Sequence, residues 1–258
     1  MIVFTDLDGT LLDLNTYSWQ PALPALEGLK KRRIPVVPVS SKTIDEILQI
    51  TRQLQLSESL IAENGSVILH KGEKVTLGKT VDELLPVFET LGHHFPIKGF
   101  HQLSLEDIIN LTGLSADEAK LAQKREFSIP FILTTDSPEE SMIGNLEKQI
   151  TSYGCRLRRG GRFYHLLGDT DKGHAIRKYL EIWRKERDID SIITFGLGDA
   201  PNDLDMFYVV DYPIQVEKPG GGYHPLPHAP SSLIQISGEG PSGWLRAYQK
   251  IMLPKIHD

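Results

Sequence analysis

Two aspartates, Asp6 and Asp8, stand one residue apart directly after the apolar run Ile2-Val3-Phe4-Thr5. Carboxylates this close repel each other, and a nearby cation removes that cost. Mg²⁺ suits such a pair, because it commonly takes one or two carboxylates and keeps several waters. Far along the chain, Gly198-Asp199-Ala200-Pro201-Asn202-Asp203 offers a further carboxylate, from Asp199 or Asp203. Ser40 precedes a helical stretch, where a hydroxyl and free backbone N–H groups make a cradle for phosphate. Lys172 adds a point positive charge. A carboxylate nucleophile, a metal site and donors for the equatorial oxygens are the parts that phosphoryl transfer requires.

Such residues must be brought together by a scaffold, and the hydrophobic pattern describes one. Ile2–Thr5 and Ile34–Val39 read as buried strands, the second with Pro35 near its start. Thr43 and Glu46 form a capping box ahead of Ile44, Ile47, Leu48 and Leu54 at helical spacing. Leu60–Ala62 reads as a third strand, followed by a hairpin around Lys71-Gly72. The spacing then predicts helices over 81–91, 104–111 and 115–124, a strand over 127–134, and a helix started by Ser137-Pro138 and ended by Gly154. Strands around Gly160-Gly161 complete this α+β segment. The βα rhythm returns with a helix over 172–187, a strand over 191–195, a short helix with Leu204 and Met206, and a strand over 212–216. A Gly/Pro-rich loop over 219–230 and a helix over 244–252 end the pattern.

The expected architecture is α/β. A doubly wound parallel-sheet core (residues 1–80 and 168–258) is interrupted by an inserted α+β module (81–167). In open parallel sheets ligands sit at the carboxyl ends of strands. Asp6, Ser40 and Asp199 all fall at such ends, and Lys172 follows a loop between strand and helix. Taken singly, each has a plain reading as a turn, a helix cap or a solvated side chain. Their occurrence together, in order, favours a phosphoryl-transfer site.

The 258 residues, 40% hydrophobic and 24% charged, describe a globular chain rather than a disordered or fibrous one. No apolar stretch reaches membrane-spanning length, and the first residues lack signal-peptide character, so a cytoplasmic location is expected. Cys155 alone cannot build a disulfide framework or a cysteine zinc site. A net charge of −6 disfavours general nucleic-acid binding. Gly196-Leu197-Gly198 lacks the third glycine of a dinucleotide fingerprint, and neither a P-loop nor a Gly-x-Ser-x-Gly elbow is present.

The set Asp6-Leu7-Asp8-Gly9-Thr10, Ser40, Lys172 and Gly198-Asp199-x-x-Asn202-Asp203 resembles the haloacid dehalogenase (HAD) superfamily of phosphatases. The resemblance implies an HAD-like core with an inserted cap. It implies Asp6 as nucleophile through an aspartyl-phosphate, and Asp8 as acid and then base. Ser40 and Lys172 would hold the phosphoryl group, and Mg²⁺ would lie on Asp6, Asp199 and the carbonyl of Asp8, with Asp203 in support. A narrower likeness, to the mannosyl-3-phosphoglycerate phosphatases, covers nearly the whole chain. Its carriers are Ser40-Ser41-Lys42-Thr43, Glu63-Asn64-Gly65-Ser66, Leu111-Thr112-Gly113-Leu114, Arg125-Glu126-Phe127-Ser128, Gly161-Arg162-Phe163-Tyr164 and Gly196–Asp203. Ala200 stands where that group often has Ser.

On this likeness the substrate is a small phosphorylated sugar acid, and Ser41, Lys42, Asn64, Arg125, Glu126, Ser128, Arg162 and Asn202 are expected to contact it. Arg125 or Arg162 would read its carboxylate, bidentately as guanidinium allows, while Glu126 meets sugar hydroxyls. The glucosyl analogue, another sugar phosphate, a phosphomutase reaction and a silent binding protein stay open as alternatives.

Overall fold

A computed structural model describes residues 1–135, 139–159 and 163–257. The first third of the chain forms β1 (Ile2–Thr5), α1 (Leu23–Lys31), β2 (Val36–Pro38), α2 (Ile44–Leu54), β3 (Leu60–Ala62), β4 (Val67–His70) and β5 (Glu73–Thr76). Then come α3 (Val81–Gly92), β6 (Ile97–Gly99), α4 (Leu105–Thr112), α5 (Ala116–Ala122), β7 (Ser128–Leu133), α6 (Glu140–Ser152), β8 (Cys155–Arg159) and β9 (Tyr164–Gly168). The last third forms α7 (Lys172–Arg187), β10 (Thr194–Gly198), α8 (Leu204–Phe207), β11 (Tyr212–Glu217), β12 (Ile234–Glu239), α9 (Gly240–Ala247) and α10 (Leu253–His257). A π-helical stretch, Tyr248–Met252, joins the last two.

Five parallel strands form the main sheet in the order β12-β11-β10-β1-β2. Alternation along β1 decides what covers each face. Ile2 and Phe4 pack with Ala175, Tyr179 and Met206 of α7 and α8, whereas Val3 packs with Leu26, Ile47 and Trp244 of α1, α2 and α9. A sheet buried on both faces needs apolar runs rather than polar alternation, and all four residues of β1 are buried. β3, β4 and β5 form a separate antiparallel sheet, tied to the main one by a Val39–Ile61 bridge. The remaining four strands make an antiparallel sheet, β6-β7-β9-β8, with α3 and α6 against one face around Leu84, Phe88, Leu146 and Leu166.

The capping box of Thr43 and Glu46 is present, and α7 spans the predicted residues. Pro38 lies inside β2 at no cost to the ladder: Val39 N–H bonds to Thr5 and Ser40 N–H to Ile61, so successive nitrogens alternate and Pro38's faces away from β1.

Other elements differ from expectation. The strand predicted over 191–195 is β10, Thr194–Gly198, and it runs on through the glycines because β1 offers backbone partners as far as Leu197. β6 and β12 were not foreseen; each is held by backbone pairing to one neighbouring strand. The helix predicted over 244–252 starts earlier, at Gly240, with Pro241 in its first turn. Ser137 and Pro138, expected to start α6, lie outside the described residues, as do Gly160 and Gly161.

Candidate active site

The strand order places the chemistry. β1 lies between β10 and β2, so their carboxyl ends form one row. Asp6 N–H donates to the Leu197 carbonyl, and Val39 N–H to Thr5, which brings Asp199 to one side of Asp6 and Ser40 to the other. Lys172 is the first residue of α7, the helix that Asp171 caps, and reaches into the row. Its ammonium lies 2.6 Å from Asp6 Oδ1 and 2.6 Å from Asp203 Oδ1, with only 1% of the side chain exposed.

Asp203 is a positioning residue by its bonds. Oδ2 accepts the N–H groups of Asp199 and Ala200, at 3.0 and 3.1 Å, and Oδ1 is on Lys172. Gly198 makes room for this: a Cβ there would stand 2.4 Å from Asp203 Cγ. Gly9 adopts φ +78°, a conformation that suits glycine, and turns the chain so that Thr10 donates to Asp199 Oδ1 at 3.0 Å.

Asp6, Asp199 and Asp203 each offer an oxygen within 4.8 Å of the others. Three buried carboxylates face one buried ammonium, a formal excess of two negative charges that a divalent cation would balance. Burial, then the neighbouring carboxylates, push Asp199 up to about 7 and Asp6 well above the carboxylate range, against the pull of Lys172. Burial also works against Lys172's charge, but Asp203 and Asp6 hold its ammonium above the usual lysine range. Among the described residues, Asp6 Oδ2 and Asp199 Oδ2 carry no hydrogen bond. An all-oxygen donor set with two uncommitted carboxylate oxygens fits Mg²⁺.

A direct consequence can be measured. Mg²⁺ should raise the thermal midpoint, since a ligand at 100 times its Kd stabilises by about 2.7 kcal/mol. Asp199→Asn should abolish most of that rise in a calorimetric titration. An equal rise in the variant would place the ion elsewhere.

The other expected residues divide. Asp8 pairs with Lys42 at 3.1 Å through Oδ2, and its Oδ1 is buried without a partner among the described residues. Lys42 is buried too; Asp8 and Glu46 keep its ammonium above the usual range despite burial. Ser40 is buried, and its hydroxyl accepts the Lys42 N–H at 3.3 Å. Asn64 N–H donates to the Ser40 carbonyl, while both polar atoms of the Asn64 carboxamide are buried and unpartnered among the described residues. Ser41, Lys42 and Arg125 line a cavity that also touches Asp8. Arg125 donates to the carbonyls of Ser41 and Ala122, and its guanidinium lies 3.7 Å from Glu46. Asn202 is half-buried on the single turn Pro201–Asp203. Arg162 lies outside the described residues.

Two expectations are corrected. Glu126 does not face the cavity; its half-exposed carboxylate holds Lys74 at 2.7 Å on the outside. Ser128 is fully buried and gives its hydroxyl to Glu63 at 2.6 Å. The missed residue behind both is Glu63. Its buried carboxylate accepts the N–H groups of Glu126 and Phe127 and the Ser128 hydroxyl, so residues 126–128 are bound to the turn after β3. Glu63 and Asn64 both have positive φ, at 49° and 56°, strain of the kind held at functional sites. An acid directly after an apolar strand was the available signal.

Two arginines of β8 are held in ion pairs. Arg156 pairs with Asp169 and Asp171, and Arg158 with Asp205, tying the antiparallel sheet to α7 and α8.

A row of carboxylates at parallel strand ends, with a lysine from the following helix, defines the class. Residues 3–218 match the haloacid dehalogenase-like hydrolases, and the chain belongs to that family. It is 35% identical over 268 residues to a curated glucosyl-3-phosphoglycerate/mannosyl-3-phosphoglycerate phosphatase of Persephonella marina, covering 98% of this chain and 97% of that protein. A protein of the same description from Methanococcoides burtonii is 34% identical, with 97% of each covered. The fold is shared with the crystal structure of Thermoplasma acidophilum 0175, at a TM-score of 0.73 and 14% identity over 98% of both chains. No helix among the described residues is long and apolar enough to cross a membrane.

Proposed function

We propose that this protein is a Mg²⁺-dependent phosphatase that releases phosphate from a glycosyl-3-phosphoglycerate, mannosyl or glucosyl, by way of an aspartyl-phosphate. The observation that carries the reading is Asp6 at the centre of the row, fixed by Lys172 and flanked by Ser40 and Asp199. Near-full-length similarity to two phosphatases of that description supports the substrate class.

In this reading Asp6 attacks phosphorus and the bond to the sugar-acid oxygen breaks. Asp8 gives that oxygen a proton, then takes one from the water that attacks the phosphorus of the aspartyl-phosphate, breaking its bond to the Asp6 carboxylate oxygen and releasing phosphate. Its unpartnered Oδ1 is the atom free to do so. Lys172, Ser40 and the N–H groups beginning α2 hold the phosphoryl oxygens. Asp6 and Asp199 would hold Mg²⁺ with the carbonyl of Asp8, and Asp203 would orient Asp199. The ion, when bound, supplies charge neutralisation between nucleophile and phosphoryl oxygens. Residues 81–167 serve as the cap, and Lys42 and Arg125 in the cavity beneath it meet the glycerate carboxylate.

A phosphate-release assay with Mg²⁺ across mannosyl- and glucosyl-3-phosphoglycerate, hexose phosphates and 3-phosphoglycerate tests this. The glycosyl-3-phosphoglycerates should be preferred by about tenfold or more in kcat/KM. A higher kcat/KM on a plain hexose phosphate would overturn the substrate assignment.

A further inference from the structure

His165 is the second residue of β9, paired with Pro130 of β7 and Arg158 of β8. Tyr164 and Leu166, its neighbours along the strand, pack on the α3 and α6 side. Alternation therefore turns His165 the other way, into the cavity shared with Asp8, Lys42 and Arg125. The residue is 5% exposed, and its ring Nδ1 is buried with no hydrogen-bond partner among the described residues.

The contrast with His70 is instructive. That histidine is equally buried, but Ser59 holds its Nδ1 at 2.6 Å and Glu186 its Nε2 at 3.0 Å. A buried polar group left unpaired costs stability, so native proteins rarely keep one without a ligand or water to meet it. The chemistry around His165 narrows that ligand. Burial, with Arg125 and Lys172 nearby, pushes its pKa down to about 3, so the ring is neutral at working pH. A neutral imidazole offers one donor and one acceptor. A hydroxyl matches both roles, whereas a carboxylate or phosphate only accepts and is better met by Lys42 and Arg125 in the same cavity. Pro130, Phe100 and Phe163 supply apolar surface beside it, suited to the C–H faces of a sugar ring.

We infer that His165 is a specificity-determining residue that holds a hydroxyl of the substrate's glycosyl group against the apolar wall of the cavity. The inference rests on the proposed phosphatase reading and assigns its sugar end. The test compares wild type, His165→Phe and His165→Gln on a glycosyl-3-phosphoglycerate and on acetyl phosphate, which has no hydroxyl. The ratio of the two kcat/KM values should fall about tenfold in His165→Phe, mainly through KM. Glutamine, which again offers a donor and an acceptor, should restore most of it. Thermal midpoints verify folding. Equal losses on both substrates, leaving the ratio unchanged, would reduce His165 to a structural residue and overturn the inference alone. A wild type that shows no preference for the glycosylated substrate would overturn the functional reading, and this assignment with it.

Discussion

Asp6→Asn should lower phosphate release by at least about 10⁴-fold, the scale of loss when a covalent nucleophile is removed. The amide cannot form the aspartyl-phosphate, so no alternative first step is left to the site. The same substitution should leave the fold intact, which makes the result interpretable. The asparagine carbonyl can still accept from Lys172, as Asp6 Oδ1 does at 2.6 Å. It also removes a charge that burial and two neighbouring carboxylates disfavour. The metal-free thermal midpoint should therefore stay within a few degrees of wild type, while turnover with Mg²⁺ disappears. Phosphate release at the wild-type rate from the variant would rule out the aspartyl-phosphate route.

Lys172→Met should act on stability as strongly as on rate. Lys172 is the cation shared by Asp6 and Asp203, and all three are buried. Taking one partner from a buried ion network typically costs about 3–5 kcal/mol, because the remaining charges stay desolvated and uncompensated. Two carboxylates are stranded here, and one of them organises the backbone of Asp199 and Ala200. The expected result is a matching loss in a urea titration without metal, partly restored by Mg²⁺, which supplies positive charge to the same carboxylates. Activity should stay about 10²–10³-fold below wild type even with Mg²⁺, since a fixed donor to the phosphoryl oxygens is gone. A loss under about 1 kcal/mol would mean that the three groups are not charged together in the folded protein.

Much of this site could be read without a fold. Asp6, Asp8 and Asp199 lie at the ends of apolar β-type runs, with Asp203 one turn beyond Asp199, and the strand-end rule for parallel sheets converts that position into proximity. The capping box at Thr43 and the start of α7 at Lys172 are local signals, complete within a few residues. The α/β class follows from the spacing of such runs for the same reason.

Partners distant in sequence were not legible. Glu126 and Ser128 sit in a motif that suggests substrate contact, yet Glu63, more than sixty positions away, takes the hydroxyl of one and the backbone of the other. Nor could the sequence show that Arg156 and Arg158 of β8 meet Asp169 and Asp171, in the loop before α7, and Asp205 of α8. β6 and β12 escaped notice because an edge strand is defined by the neighbour that accepts its backbone hydrogen bonds. His165 gave no sign at all, since one polar residue in an apolar strand has no local partner to betray its role.

By itself, then, the sequence determined the class of fold and singled out the carboxylates and lysine that the fold brings together. These depend on side-chain type and on periodicities a few residues long. The tertiary structure alone decided which charges neutralise one another, which polar groups remain unpaired, and which side chains face the cavity. Those outcomes depend on contacts between segments far apart in the chain, where burial sets the cost of every unmatched charge or hydrogen bond.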